Sequence, residues 1–130
     1  DHESTATTLN ALGENYLELG MYEKAKSYIS KSLTIREKLL GKNHEDVATS
    51  LNDLALYYWY TGKQLNKAEP LLLRALSIRK NIYGEDNPYT AVIHSNLGLI
   101  YSGLRQYKKA LKTKRKRRKK RRRKKTQKIK

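Results

Sequence analysis

The stretch Thr49-Ser50-Leu51-Asn52-Asp53-Leu54-Ala55 closely resembles an earlier one, Thr7-Thr8-Leu9-Asn10-Ala11-Leu12-Gly13. A weaker copy follows as Val92-Ile93-His94-Ser95-Asn96-Leu97-Gly98. Leu54 lies 42 residues after Leu12, and Leu97 lies 43 residues after Leu54. A fixed period of this size is the signature of a repeat array, in which each unit buries its apolar face by stacking on its neighbours. Such arrays bind through an extended surface, so the pattern favours binding over chemistry in a pocket.

Each unit has the hydrophobic periodicity of two α-helices separated by a short break. In the second unit, one helical stripe consists of Val47, Leu51, Leu54, Ala55 and Tyr58. A break at Gly62 follows, and a second apolar stripe then runs from Ala68 to the closing Gly84. His44 is expected to cap the start of the second unit, and Asn87 with Pro88 is a typical opening for the third.

Small residues recur where paired helices would cross most closely, and a tyrosine follows each of them. These positions are Gly13, Ala55 and Gly98 in the first helices, Ala25, Ala68 and Ala110 in the second helices, and the tyrosines Tyr16, Tyr58 and Tyr101. This pattern resembles the tetratricopeptide repeat. Residues 51–55, 68–71, 74–79 and 84–88 look like the long version, of about 42 residues, found in kinesin light chains and related scaffold proteins. The resemblance implies an all-α fold, a right-handed superhelical array of antiparallel helix hairpins.

The predicted organisation is repeat 1 at residues 1–43, repeat 2 at 44–86, an incomplete repeat 3 at 87–111 and a basic low-complexity tail at 112–130. Arg105 stands where Gly20 and Gly62 make the turn in the earlier repeats, so we expect a less sharply made turn there. The chain starts within the array, on Asp instead of Met. We therefore expect a fragment of a larger protein.

Repeat 3 also departs from the pattern inside its helices. His94 replaces a leucine of the first helix, and we expect it to be a buried, hydrogen-bonded histidine of the core. In the second helix, Lys114 stands where Ile29 stands and Arg117 stands where Ser32 stands. The second helix of repeat 3 therefore loses its apolar stripe after Leu111.

The resemblance places the first helix of each repeat along a concave groove, which is the candidate peptide-binding surface. The candidate groove residues are Asn10, Glu14, Asn52, Asp53, Leu56, Trp59, Tyr60, Asn96 and Leu99. Asparagine suits a peptide backbone because its amide both donates and accepts hydrogen bonds, although these asparagines also fit an ordinary solvated helix surface. Trp59 is either an anchor for a partner or a packing residue against the next repeat.

The predicted groove is mildly acidic, through Glu14, Glu18 and Asp53, and no basic residue is predicted on it. Some chaperone-docking relatives use Lys and Arg on this face to clamp a C-terminal carboxylate, and that function is disfavoured here. An acidic peptide is disfavoured for the same reason. Charge complementarity favours a neutral, apolar or basic protein segment as the partner.

The net charge of +17 belongs to the C-terminal end of the chain. Residues 108–130 contain 17 basic residues and no acidic one, whereas residues 1–107 are balanced at 12 of each sign. The candidate nuclear-import or phosphate-binding residues are Lys114, Arg115, Lys116, Arg117, Arg118, Lys119, Lys120, Arg121, Arg122 and Arg123. Two other interpretations of the basic run are open. It could bind an anionic membrane surface, or it could be a gene-model artefact or a recent replacement of the end of the repeat. A block of like charges is expected to be disordered on its own.

Other classes of protein find little support in the sequence. The chain has no cysteine and no apolar run of membrane-spanning length, and it lacks the common metal, nucleotide and hydrolase motifs. We expect a non-enzymatic module without cofactor, metal or small-molecule substrate. It would be cytoplasmic, or nuclear if the basic tail directs it there. The two candidate functions are a scaffold or adaptor that binds protein partners through the groove, and a nuclear or nucleic-acid-associated protein that acts through the tail.

Overall fold

The computed structural model describes residues 2–129 as α-helices joined by short connections, with no strand in that range. The elements are α1 (His2–Glu18), α2 (Tyr22–Leu40), α3 (Glu45–Thr61), a 3₁₀ turn (Leu65–Lys67), α4 (Ala68–Tyr83) and α5 (Pro88–Ile129). Helices α1 and α2 form one hairpin, α3 and α4 form the next, and α5 packs on α4, so the elements stack in chain order. The predicted all-α array of helix hairpins is confirmed. Asp1 and Lys130, which belong to the predicted repeat 1 and tail, lie outside the described residues.

The helix ends follow local signals in the sequence. The His44 imidazole Nδ1 accepts a hydrogen bond of 3.0 Å from the backbone N–H of Asp46, so His44 caps α3 as expected. Pro88 is the first residue of α5, and the Asn87 carboxamide oxygen accepts from the Tyr89 N–H at 2.9 Å. Both caps satisfy backbone donors that have no partner within the helix itself.

Helix α5 differs from the prediction for repeat 3. Gly20 (φ +77°) and Gly62 (φ +66°) adopt the left-handed conformation that turns the chain back after α1 and α3. Arg105 stands at the same place in repeat 3, and the chain continues there as an uninterrupted helix of 42 residues. The expected turn is therefore absent, and the basic run that we expected to be disordered is helical. Lys and Arg are good helix formers, and nothing at residue 105 favours a left-handed turn.

The core lies between the two hairpins and the first part of α5. Ile29, Leu51, Leu72, Ile93 and Ile100 have at most 1% of their surface exposed. At the crossing of α1 and α2, a Cβ placed on Gly13 would lie 2.4 Å from Cγ1 of Ile29. The predicted close approach at Gly13 is therefore confirmed.

The equivalent positions of repeat 3 are not buried, which contradicts the sequence-based expectation. His94, Gly98 and Ala110 are exposed, and Tyr101 keeps 43% of its surface accessible. A Cβ on Gly98 would meet no atom within 4 Å. The physical reason is that α5 does not fold back on itself, so no second helix covers these residues.

Candidate protein-interaction surface

Asn10 joins the first helices of repeats 1 and 2. Its side-chain N–H groups donate to Asp53 Oδ2 at 2.9 Å and to Glu14 Oε1 at 3.0 Å, and its oxygen accepts from the Ser50 hydroxyl at 2.8 Å. Only 3% of its surface is exposed. The Asn10 amide is thus neither a solvated surface group nor free for a peptide backbone. It stabilises the contact between α1 and α3.

A second asparagine bridge joins repeats 2 and 3. Nδ2 of Asn96 donates to Oδ1 of Asn52 at 2.7 Å, and Asn52 is 9% exposed. The predicted groove asparagines therefore form a polar ladder across the first helices. Buried polar groups require such partners, because an unpaired buried amide is costly. The ladder aligns α1, α3 and α5 without offering many free amides to a ligand.

Asp53 is a buried acid at the repeat 1–repeat 2 contact. Burial raises the pKa of its carboxyl from the ordinary 3.8 to about 8, and the neighbouring Glu14 adds to the rise. The hydrogen bond from Asn10 and the charge of Arg36 act in the opposite direction. The exposed carboxyl groups of this face are those of Glu14 and Glu18.

Trp59 and Tyr60 lie at the end of α3 and face different neighbours. A Cβ on Gly103 of α5 would be 3.1 Å from Trp59 Cζ3, so the half-buried indole packs against the following helix. Tyr60 is 52% exposed and stacks on Tyr22 at the start of α2, with a ring-centroid distance of 6.0 Å. Of the two hypotheses for Trp59, the structure favours packing against the next repeat.

Some of the predicted groove residues are accessible. Glu14 of α1 and Leu99 of α5 are exposed. Leu56 is half-buried on α3, the first helix of the repeat between them. We call this surface of α1, α3 and α5, centred on Glu14, Leu56 and Leu99, the first-helix face.

An open groove of about 1010 Å³ lies between the end of α3, the connection to α4 and the middle of α5. Its apolar lining consists of Trp59, Leu65, Leu104, Tyr107 and Leu111. Lys63 and Lys108 contribute to its lining, and no described acidic residue does. The groove exists because α5 runs straight past Arg105 instead of folding back over this region. We refer to it as the α3–α5 groove.

Two arginines connect the repeats in a way that the sequence analysis missed. Arg36 is 7% exposed, and its Nη1 donates to the Ser50 hydroxyl at 2.9 Å and to the Asp46 carbonyl at 3.2 Å. Arg79 is equally buried and donates to the Tyr89 carbonyl at 3.1 Å. Each arginine thus links a second helix to the first helix of the next repeat. The available signal was their separation of 43 residues, which matches the repeat period.

The basic run forms the exposed distal half of α5. Every residue from 112 to 128 is accessible to solvent, including all ten predicted phosphate-binding positions from Lys114 to Arg123. Within residues 2–129, no helix combines the length and apolarity needed to cross a bilayer. The same residues contain no cluster of His, Cys, Asp or Glu side chains arranged to hold a metal ion.

Stacked helix hairpins with a period of 42–43 residues, joined by polar bridges between first helices, define an α-solenoid built for protein interactions. The family model of the tetratricopeptide repeat matches residues 4–65 and again residues 63–122. The chain belongs to the tetratricopeptide repeat family, which is a class of protein–protein interaction modules. The second match extends into the basic run, to residue 122.

Curated relatives and solved structures support this assignment. The chain is 31% identical over 111 residues to the human clustered mitochondria protein homolog, a match that covers 85% of this chain and 8% of that protein. It is 35% identical over 98 residues to the Danio rerio homolog, covering 75% of this chain and 7% of that one. It therefore spans less than a tenth of the length of these relatives.

Among solved structures, the chain is similar to the crystal structure of BtubC (BKLC) from P. vanneervenii. The TM-score is 0.69 at 30% sequence identity, and the match covers 81% of this chain and 42% of BtubC. The predicted resemblance to tetratricopeptide repeat proteins of the long, kinesin-light-chain-like type is confirmed.

Proposed function

We propose that this chain is the interaction module of a larger scaffold or adaptor protein, and that it holds a segment of a partner protein on its first-helix face. The α3–α5 groove carries the proposal, because it offers apolar contact area of a size suited to partner side chains. Trp59 belongs both to the groove lining and to the predicted first-helix set. A segment lying across α1, α3 and α5 would thus insert apolar side chains beside Trp59.

The charges of the surface suggest how such a segment is oriented. Glu14 and Glu18 are exposed on α1 and favour a basic or neutral stretch there. Lys63 and Lys108 line the α3–α5 groove, so basic residues of the partner are disfavoured at that end. The proposed partner is a neutral, apolar or basic protein segment whose basic residues lie towards repeat 1.

The proposed role is binding without catalysis, and it requires no cofactor. The absence of cysteine suits a reducing compartment, which supports a cytoplasmic place of action for the module. The alternative role, nuclear or nucleic-acid association through the basic tail, would use the exposed residues of α5 beyond Leu111 and would leave the first-helix face without a function.

Affinity purification with the full chain as bait tests the proposal. Leu99→Ala shortens an exposed side chain of the first-helix face, and Tyr107→Ala shortens one of the groove, where 62% of the tyrosine is exposed. Leu39→Ala is the matched control, because Leu39 is 48% exposed on α2, a second helix. Protein partners should be recovered equally by wild type and control, and roughly fivefold less by the two test variants.

A nuclease-treated sample separates the two functions. Partners of the first-helix face should be retained after nuclease treatment and should vary little with salt. If the partners disappear with nuclease and the Leu99 and Tyr107 variants behave like wild type, the basic tail carries the binding and the proposal is wrong. Tail binding would also weaken steeply between low and moderate salt, since it depends on counterion release from phosphates.

A further inference from the structure

One side of α5 corresponds to a surface that is covered in both earlier repeats. In repeat 2 the corresponding residues of α3 are all at most 7% exposed: Ala48, Leu51, Ala55 and Tyr58. Their counterparts 43 residues later are all exposed: Ala91, His94, Gly98 and Tyr101. We call these four residues the bare face of α5. The spacing of these residues is that of a helix-packing surface, but no described helix packs against them.

The chain's own tail is a poor cover for this face. A second helix of repeat 3 would have to be formed by residues beyond Arg105, and Lys114 and Arg117 would occupy the places of the buried Ile29 and Ser32. Burying two cations without anionic partners is strongly unfavourable. The face itself, residues 91–101, carries no carboxylate that could pair with them. A helix from outside residues 1–130 is therefore the better occupant.

We propose that a second copy of this chain packs its own bare face on this one, with the two α5 helices antiparallel and the two-fold axis beside Gly98. The absence of any atom within 4 Å of a Cβ at Gly98 leaves room for a helix to approach closely there. A two-fold contact uses the same patch on both copies, which is the commonest form of protein self-association. This inference concerns a different side of α5 from the one that includes Leu99, and it stands independently of the proposed function.

Charge complementarity selects the antiparallel arrangement. Counting equal numbers of residues from Gly98 in opposite directions, Glu85 and Asp86 of one copy come opposite Leu111 and Ala110 of the other, which Lys109 and Lys112 flank. Glu85 also pairs with Lys80 of its own chain at 2.8 Å, and Asp86 is the second carboxylate of this turn. At a shallow crossing angle of about 20°, side chains of this length reach each other across the pair. A parallel arrangement would instead place the two acidic turns together and the two basic runs together.

The antiparallel arrangement also keeps the basic tails apart. At a rise of about 1.5 Å per residue, Lys112 lies roughly 20 Å along the helix from Gly98, so the two tails begin roughly 40 Å apart. This distance is several times the screening length of about 8 Å at physiological ionic strength. The net charge of +17 on each copy therefore does not prevent the pairing.

Sedimentation equilibrium of the full chain tests the pairing. We expect reversible dimer formation to become detectable as the protein concentration is raised to about 100 μM. Gly98→Glu should weaken it roughly 100-fold or more, because two like charges would meet at the axis. The open space at residue 98 allows this side chain in the monomer, so the fold is retained. Ser77→Glu on the exposed face of α4 is the matched control and should dimerise like wild type.

Disulfide trapping then tests the geometry, because the chain has no cysteine of its own. Gly98→Cys should form a covalent dimer under mild oxidation, since the axis brings the two copies of this residue together. Asp86→Cys should not crosslink to itself, but it should crosslink to Lys109→Cys in a mixture of the two variants. A chain that stays monomeric up to about 100 μM, a Gly98→Glu variant that dimerises like wild type, or self-linking of Asp86→Cys would overturn the proposal.

Discussion

Two equivalent glycines are expected to respond in opposite directions to the same substitution. Gly13 and Gly98 hold the same position in repeats 1 and 3, yet their surroundings differ. A Cβ at Gly13 would be 2.4 Å from Ile29 Cγ1 and 3.3 Å from the Ala25 carbonyl oxygen, and Ile29 is fully buried. A Cβ at Gly98 would meet nothing within 4 Å. The helix gains from alanine at both sites, but only Gly13 has to accommodate a clash.

The magnitudes follow from these distances. Replacing glycine by alanine inside a helix stabilises it by about 0.5–1 kcal/mol. Forcing an extra carbon into a filled core costs about 1–3 kcal/mol, and Ile29 is a fully buried residue of that core. In the monomer, at protein concentrations well below those of the proposed pairing, Gly98→Ala should therefore raise the free energy of unfolding by about 0.5–1 kcal/mol, whereas Gly13→Ala should lower it by about 1–2 kcal/mol.

Urea denaturation followed by far-UV circular dichroism measures both effects. An unchanged dependence of the free energy of unfolding on urea concentration indicates that only the stability has altered. A double-mutant cycle with Ile29→Ala tests the cause, because removal of Cγ1 should remove most of the penalty of Gly13→Ala and leave only the approach to the Ala25 carbonyl oxygen. If the two glycine variants shift the midpoint in the same direction, or if the penalty persists without the Ile29 side chain, the packing argument is wrong.

Three further predictions concern the polar contacts between repeats. Asp53→Asn should flatten the pH dependence of stability. The pKa of Asp53 is about 8 in the folded protein and 3.8 in the unfolded chain, so the folded state holds this proton more tightly. The free energy of unfolding of wild type should therefore fall as the pH rises between these values, by at most about 1.4 kcal/mol per pH unit. Urea midpoints at acidic and mildly alkaline pH check this, and an equal pH slope in both proteins would contradict it. Arg36→Ala should destabilise the array by about 2–3 kcal/mol in the same assay, through two lost hydrogen bonds and lost packing, and a loss below about 0.5 kcal/mol would refute that role. His44→Ala should cost about 1 kcal/mol and should be restored by His44→Asp, which also caps a helix, in thermal melts of the three proteins.

Much of the fold could be predicted from the sequence because its signals are local. The glycine at Gly62, the Asn87-Pro88 pair and the apolar stripe from Val47 to Tyr58 act on their own helix, and the structure places helix ends and a buried face where they indicate. The close crossing at Gly13 was also predictable, since a residue without a side chain at a repeated position points to a contact there.

The interaction surface was less predictable, because the role of a polar residue depends on what faces it. The spacing of Asn10, Asn52 and Asn96 placed them on the first helices. Nothing in the spacing showed that Asn10 would bind Asp53, or that Asn96 would bind Asn52, across the repeats. The burial of Arg36 likewise depends on residues of the next helix. Its partners are the Asp46 carbonyl, ten residues away, and the Ser50 hydroxyl, fourteen residues away.

By itself, the sequence determined the repeat period, the helix hairpins and the separation of a neutral body from a basic end, because these follow from periodicity, capping residues and charge. The tertiary structure alone decided that α5 passes Arg105 as one helix, that His94 and Gly98 lie exposed, and that a groove opens beside Trp59. The physical reason is that burial is a property of pairs of helices. A first helix becomes core only if a second helix returns over it, and in repeat 3 the returning segment would have to bury Lys114 and Arg117.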